Sequence, residues 1–311
     1  MADFGEQFFI DVVRNAQNAD PWSSTVNFDS WKRSVLHHLV KIASSKAGMA
    51  LLRAIRRTGK FCAVVPPSPE VARSCNSKTW PLAATPVNVA SPSKHRKYVA
   101  VVEFDPSQYV SGSVCFRNKH LGSSSFNRAA LPDEVLFHEL FHALRNRTGH
   151  ALGGALAPYN NSEEFLAVVV TNIYISDLTN RSKSGLRGDH ETHRPLDASL
   201  STSLTFFRSS PKVLDELRQF VADKDMRQFC QELCGVKAAF NPIAAIMDKS
   251  IAPLLGRLSR SESSRNRDAL VPIVAPILRM FEPSPPVPEL IPALKGLGEV
   301  LAAEALKVLR S

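Results

Sequence analysis

Cysteine is scarce in this sequence, and its arrangement argues against a disulfide framework. The 311 residues include five cysteines, an odd number at mostly wide spacings. Cys230 and Cys234 lie four positions apart, which is one helical turn and not the CxxC spacing of redox or zinc pairs. We therefore expect reduced, buried cysteines and a reducing compartment.

Long apolar runs are also lacking. No window approaches the roughly 18 uninterrupted apolar residues that a transmembrane helix needs, so we predict no membrane span. The first residues, MADFGEQFFIDVV, carry acidic side chains and no basic segment ahead of an apolar stretch. We therefore expect no cleaved secretory signal peptide.

Positive charge is in excess but is not concentrated. The formal net charge is +9, and only small clusters occur, such as that of Arg53, Arg56, Arg57 and Lys60. The sequence has no arginine-rich arm and no zinc-finger spacing, which argues against a specific nucleic-acid reader. We interpret the charge mainly as a solvated surface.

The overall composition is that of an ordinary globular chain, with 44% hydrophobic and 22% charged residues. The length allows one large domain or two modest ones, with a real hydrophobic core. We divide the chain into a lead-in over 1–27, a main domain over 28–248, and a proline-punctuated helical tail over 249–311.

Helical and strand patterns both occur in the main domain. Runs with helical periodicity or helix start and stop signals cover 28–58, 131–147, 161–175 and 211–247. Short strand-like runs cover 59–67, 97–105 and 113–117. Within the first helical run we expect a break at Gly48 and a stop at Gly59, and we interpret 68–96 as an irregular insertion. Residues 168–171 are β-branched, so a local strand is an alternative to helix there. The predicted fold is α+β: a small mixed sheet over the helix at 131–147, with a mostly helical C-terminal half.

One segment carries a metal-binding motif. LPDEVLFHELFHALRNRTG contains His138-Glu139-Leu140-Phe141-His142, which is the HExxH pattern. Positions i and i+4 share one face of a helix, so both imidazoles can reach one ion, and imidazole is a good zinc ligand. Glu139 can take a proton from a zinc-bound water. We therefore predict Zn²⁺ as the cofactor, held by His138 and His142, with Glu139 as the general base.

The flanks of the motif are apolar nearly all round, which predicts a buried helix. Two histidines and a glutamate are costly there unless they share a partner. The alternative is a pair of hydrogen-bonded core histidines with a solvated glutamate. The long metzincin pattern is excluded, because Arg145 and Thr148 occupy its positions and His150 is out of register.

A third ligand is expected downstream, in NNSEEFLAVVVTN. Glu164 begins a predicted helix, and Ala167 would let that helix approach the HExxH helix closely. A second helix that delivers a carboxylate is the arrangement of a glutamate-zincin. Three alternatives stay open: Glu164 serves only as part of a capping box with Asn161, Glu163 is the ligand, or another residue binds the metal.

Hydrolysis also needs a donor for the developing oxyanion. The segment LRGDHETH offers Arg187, His190 and His193. We favour His190 as that donor, with Asp189 orienting it, and Arg187 as an anchor for substrate or loop. Further candidate donors are Tyr159 and Tyr174.

The segments HELFHALRNRTG, NNSEEFLAVVVTNIYISD and LRGDH together resemble the zinc metallopeptidase domains of bacterial secreted effectors and polymorphic toxins. Those domains share HExxHA with a nearby glycine, a Glu-Glu-x-x-A helix leading into Asn-x-Tyr, and an Arg-x-x-His. The specific part of the resemblance covers 131–193. It implies a zincin-like, gluzincin-type fold with these site residues: metal ligands His138, His142 and Glu164, and catalytic Glu139, His190 and Arg187.

The implied activity is that of a zinc metalloendopeptidase that cleaves a protein by attack of a zinc-bound water. The cleft between the sheet edge and the HExxH helix would bind an extended peptide as an added strand. The resemblance also implies an effector or toxin that is cytoplasmic before delivery and acts in a target cell. A secretion chaperone or an immunity protein would be its partner.

Two rival functions use the same residues. The first is a non-enzymatic basic binding protein with a structural zinc, which would need a fourth protein ligand such as Cys75 or Cys115. The second is a zinc amidase that acts on peptidoglycan.

Overall fold

The computed structural model describes residues 8–14, 27–74, 77–81, 98–110, 113, 131–148, 154–178, 185–190, 196–197, 206–207 and 211–248. The chain divides into two compact units, residues 1–195 and residues 196–311. This division lies inside the predicted domain 28–248, and the three-part organisation stays a prediction. The tail over 249–311 lies outside the described residues.

The first unit contains a four-stranded mixed sheet with the strand order β1-β2-β4-β3. Its strands are β1 (Ile10–Val12), β2 (Phe61–Val65), β3 (Lys78–Pro81) and β4 (Tyr98–Glu103). β1 and β4 both run parallel to β2, whereas β3 pairs antiparallel with β4 at the end of the order. The small mixed sheet expected from the sequence is therefore present.

Two of the four strands lie where the sequence predicts them. β2 falls within 59–67 and β4 within 97–105. The prediction of an irregular insertion over 68–96 is wrong in part, because this stretch contains helix α3 (Pro69–Ser74) and strand β3. β1 was not expected in the lead-in, and of the strand predicted over 113–117 only Ser113 is described.

The predicted helical break at Gly48 is wrong. α1 spans Phe28–Ala43 and α2 spans Lys46–Arg57, so the chain breaks at Ser44 and Ser45 instead. Ser45 caps α2, because its side chain accepts a hydrogen bond from the Gly48 amide at 2.8 Å. A Cβ at Gly48 would lie 1.9 Å from the Ile42 carbonyl oxygen, so the glycine permits a close approach of the two helices. Gly59 does end α2, with φ +65.

Helix α4 (Pro132–Thr148) carries the HExxH motif at the centre of the first unit. It packs against β3, β4, α1, α2 and the helix α5 (Ser162–Asp177). Its apolar residues are almost fully buried on all sides, as the sequence predicts. The β-branched residues 168–171 belong to α5, which excludes the local strand.

The second unit contains three described helices: α6 (Pro211–Ala222), α7 (Arg227–Cys234) and α8 (Pro242–Met247). Phe206 and Phe240 pack edge to face with ring centroids 5.1 Å apart and are fully buried. In neither unit is a described helix long and apolar enough to cross a membrane. The fold is a mixture of helices and strands, with helices dominating the described part of the C-terminal half.

Candidate metal centre

The two histidines of the motif meet on one face of α4. Nε2 of His138 lies 3.0 Å from Nε2 of His142, and both atoms face the start of α5. Glu164 reaches across from α5, with Oε2 at 3.2 Å from His138 Nε2 and 3.1 Å from His142 Nε2. The carboxylate that the sequence predicts as third ligand therefore lies against both imidazoles.

Local structure at the start of α5 explains why the Glu164 side chain is available. Asn161 caps the helix, since its Oδ1 accepts a hydrogen bond from the Glu164 amide at 2.9 Å. In a full capping box the Glu164 carboxylate would bind the Asn161 amide in return, but that amide donates to the Tyr159 carbonyl instead. Asn161 therefore caps α5, and the Glu164 carboxylate remains directed towards the two histidines.

Glu163, the alternative ligand, has a different place. Its Oε1 lies 3.3 Å from Nδ1 of His142, on the opposite side of that ring from Glu164. Its Oε2 accepts a hydrogen bond from Nε of Arg145 at 3.0 Å, and both side chains are buried. This placement favours Glu164 over Glu163 as a ligand.

His190 comes to the same point from the loop at 185–190. Its Nε2 lies 3.1 Å from Oε2 of Glu164, and its ring stacks on His138 with centroids 5.8 Å apart. His138, Glu164 and His190 each place a ligand atom within 4.8 Å of the other two, so this cluster could hold a metal ion. The sequence placed His190 near the site but not in contact with Glu164.

Arg187 belongs to the loop that carries His190. Its backbone amide donates to Oδ1 of Asn172 at 2.7 Å, and its carbonyl accepts from the same side chain at 2.9 Å. The guanidinium donates through Nη2 to the His190 carbonyl at 2.9 Å. Burial lowers the pKa of Arg187, and the charges of Glu134 and Glu164 oppose that effect. These contacts join Arg187 to Asn172 and to the His190 backbone, and its role as an anchor for loop or substrate stays a prediction.

Glu139 lies beside the histidines and contacts the sheet. Oγ1 of Thr79, on β3, lies 2.5 Å from Oε2 of Glu139. Burial raises the pKa of Glu139, while the charge of His142 and the hydrogen bond of Thr79 oppose the rise. A buried carboxylate with a raised pKa is a better proton acceptor than an exposed one.

The electrostatics of the centre favour positive charge between the carboxylates. Burial alone would raise the pKa of Glu164, but hydrogen bonds from His138 and His142 hold it well below its ordinary value. Burial alone would lower the pKa of His142, but its contacts with Glu163 and Glu164 raise it to about 10. For His138 burial dominates, and its pKa is lowered. The two carboxylates thus favour a positive charge at this point of the centre, which a bound cation could supply in place of a proton.

The donor set fits a zinc ion. Ligands about 2.0–2.1 Å from a tetrahedral zinc lie roughly 3.3 Å from one another. The Nε2 atoms of His138 and His142 and Oε2 of Glu164 lie 3.0–3.2 Å apart. Glu164 and His190 are the more open members, with 21% and 29% of their side chains exposed, so the centre is accessible from that side.

The other residues considered from the sequence belong to the core or to the adjacent loops, or lie outside the described residues. Tyr174 stacks on Phe137, and its hydroxyl donates to Asp133, so it serves the core. Tyr159 is buried, and burial raises its pKa to about 12. Asp189 is buried in the loop, and its orienting role stays a prediction. His193, Cys75 and Cys115 lie outside the described residues.

The sequence reasoning missed Thr79, Arg145 and Asn160 as neighbours of the site. Asn160 places Nδ2 3.1 Å from Nδ1 of His190. The sequence contained a signal only for Arg145, which follows His142 by three positions and therefore shares its helix face.

The chain matches no protein-family model, no curated protein and no solved structure.

Proposed function

We propose that this protein is a zinc-dependent endopeptidase that cleaves a protein substrate, with His138, His142 and Glu164 as the zinc ligands. One observation carries the proposal: both histidines of an HExxH helix converge on a single carboxylate oxygen delivered by a second helix. A buried glutamate of the same motif lies beside them. Buried ionisable groups at this density are costly unless a cation or a reaction uses them.

Each residue has a chemical task in this proposal. Zinc bound at the centre would supply a Lewis acid that acidifies water and polarises the scissile carbonyl. Glu139 takes the proton of the attacking water and passes it to the leaving amine. His190 donates a hydrogen bond to the oxygen on which negative charge develops. Arg187 keeps the loop of His190 in place through the His190 carbonyl.

The substrate would lie along β3, which is an edge strand in the part of the sheet that the structure describes. β3 is at the end of the strand order and packs against α4, so a peptide that extends the sheet from β3 would pass close to Glu139. This arrangement is one that a zincin-like fold of the gluzincin type would have. It supports an endopeptidase that binds an extended peptide.

The resemblance in the motif segments supports a bacterial secreted effector or toxin. Such a protein would be cytoplasmic before delivery and would act in a target cell. A secretion chaperone or an immunity protein would be its partner.

A closed, structural zinc site is the second candidate. The observation in its favour is His190, whose Nε2 approaches Oε2 of Glu164 as closely as the motif histidines do. If His190 bound the metal as well, four protein ligands would fill a tetrahedral site and leave no position for a reacting water. Such a protein would bind a partner without cleaving it.

Cleavage products distinguish the two candidates. Zinc-loaded wild-type protein would be incubated with a mixture of unfolded proteins, and new peptide termini would be identified by mass spectrometry. Peptidoglycan fragments in a parallel reaction test the amidase alternative. The matched control is Glu139→Gln, with Glu70→Gln as a surface control, since Glu70 is exposed.

The proposal expects defined new termini from wild type and Glu70→Gln, and at least about a 100-fold loss in Glu139→Gln because the general base is missing. Equal cleavage by wild type and Glu139→Gln would contradict it. So would zinc-loaded wild type that cuts none of the proteins.

A further inference from the structure

We infer that the segment from Asn160 to Glu163 assigns opposite roles to His142 and His190, through hydrogen bonds to the Nδ1 atom of each ring. His142 becomes a metal ligand, and His190 is kept as a hydrogen-bond donor. The inference rests on the proposed zinc site and deepens it, because it names the two residues that keep one coordination position open.

The two nitrogens of a neutral imidazole have different roles. One nitrogen carries the hydrogen and donates, while the other has the lone pair that binds a metal. The group placed against Nδ1 therefore determines what Nε2 can do. Nε2 of both rings lies 3.1 Å from Oε2 of Glu164, so distance to that oxygen does not distinguish them.

The group against Nδ1 of His142 is an acceptor. A carboxylate oxygen of Glu163 lies 3.3 Å away, and an ionised carboxylate can only accept. Nδ1 therefore carries the hydrogen, and in the neutral ring Nε2 has a free lone pair. Arg145 holds the other oxygen of Glu163 at 3.0 Å, so the carboxylate is fixed and its negative charge is compensated.

The group against Nδ1 of His190 is a donor. Nδ2 of Asn160 lies 3.1 Å away, and an amide NH₂ can only donate. Nδ1 must therefore accept, which places the hydrogen on Nε2, the atom that lies 3.1 Å from Oε2 of Glu164. A protonated Nε2 cannot bind a metal, but it can serve a substrate oxygen.

Asn160 is suited to this position by its backbone. Its φ is +69, a left-handed conformation that Asn and Asp adopt more readily than most residues. Its carbonyl also accepts from the Leu156 amide, which fixes the turn before α5. Asn160 and Glu163 are thus positioning residues on either side of the Asn161 cap.

Two isosteric substitutions reverse the assignments in opposite directions. Asn160→Asp puts an acceptor against His190, which frees Nε2 to bind zinc as an additional ligand. Glu163→Gln lets Arg145 keep the amide oxygen, so that the NH₂ group faces His142 and its Nε2 becomes protonated. Asn160→Gly, which keeps the backbone conformation without the side chain, is the control for loss of the amide alone.

The readouts are zinc affinity, by competition with a chelator, and the number of coordinated imidazoles, by X-ray absorption of the zinc-loaded protein. We expect two imidazoles in wild type and three in Asn160→Asp, with zinc affinity undiminished and peptide cleavage reduced about 100-fold. Glu163→Gln is expected to bind zinc about 10- to 100-fold more weakly. Asn160→Gly should keep two imidazoles. Melting of each variant in chelator checks that the fold is intact.

Three imidazoles in wild type, or two in Asn160→Asp, would overturn the inference while leaving the zinc site itself in place. Unchanged zinc affinity in a folded Glu163→Gln variant would show that Glu163 does not make His142 a metal ligand. Failure of wild type to bind zinc at all would overturn both the inference and the proposed function.

Discussion

The hydroxyl of Thr79 joins an edge strand of the sheet to the glutamate of the HExxH motif. Oγ1 lies 2.5 Å from Oε2 of Glu139 and 3.0 Å from the backbone carbonyl of the same residue. A hydroxyl has one proton to donate, and the shorter contact to a charged group is the stronger one. Thr79 therefore orients the candidate general base from the strand along which the substrate is proposed to lie.

Removing that hydroxyl should slow catalysis without affecting zinc. Thr79→Val keeps the shape of the side chain but leaves the Glu139 carboxylate without this donor. We expect kcat to fall about tenfold, the equivalent of one hydrogen bond of about 1.4 kcal/mol. Zinc content should stay at the wild-type value, since Thr79 contacts none of the proposed ligands directly.

Thr79→Ser is the matched control, because it retains the hydroxyl. It should recover most of the activity that Thr79→Val loses. Equal rates in Thr79→Val and wild type, measured with the same peptide at saturation, would show that the contact has no part in the reaction.

The close approach of α1 and α2 should make Gly48 intolerant of any side chain. An added Cβ would lie 1.9 Å from the Ile42 carbonyl oxygen, which is backbone and cannot turn aside. We expect Gly48→Ala to lower the free energy of unfolding by about 1–3 kcal/mol, the usual cost of overpacking. Urea denaturation followed by circular dichroism measures this.

Gly154→Ala serves as the control for Gly48→Ala. A Cβ at Gly154 would meet nothing within 4 Å, so that substitution should be nearly neutral. If both substitutions changed stability equally, the steric explanation for Gly48 would be wrong.

His38 should make the fold sensitive to mild acid. Burial lowers its pKa to about 4, with Asp133 opposing the effect and His37 and Lys41 reinforcing it. The unfolded chain binds a proton near pH 6.5 that the folded chain does not accept until about pH 4. The free energy of unfolding therefore falls as the pH decreases from 6.5 to 4, and this contribution is constant above 6.5.

His38→Gln removes that contribution. The ring is only partly buried, so we expect a difference of about 1 kcal/mol between pH 7 and pH 4.5 after allowing for solvent screening. The measurement is the stability of wild type and variant by urea denaturation at the two pH values. An identical loss in both proteins would mean that other groups account for the acid sensitivity.

The sequence predicted the helices and the motif well, because local signals specify them. HExxH on an apolar run predicted α4, and Asn161 with the carboxylates after it predicted the start of α5. The break between α1 and α2 lies three residues before Gly48, so the glycine does not act as a helix breaker. Gly48 is a glycine because a side chain there would collide with the Ile42 carbonyl, a contact that only the folded chain reveals.

The strands and the outer contacts of the site were harder to predict. β1 is three residues long, and β3 lies in a polar stretch, so neither has a full alternating pattern. Each of them is defined by the strand it pairs with. Thr79 and Asn160 likewise reach Glu139 and His190 from distant segments, and no residue spacing in the sequence encodes such contacts.

The central claim is that His138, His142 and Glu164 hold one zinc ion. The most direct test is the metal content of purified, zinc-reconstituted protein, with wild type beside Glu139→Gln and Glu164→Ala. The account predicts one zinc per chain in wild type and in Glu139→Gln, since Glu139 is not a ligand, and loss of zinc in Glu164→Ala. Wild-type protein that retains no zinc after reconstitution would contradict the account and leave the two histidines as core residues.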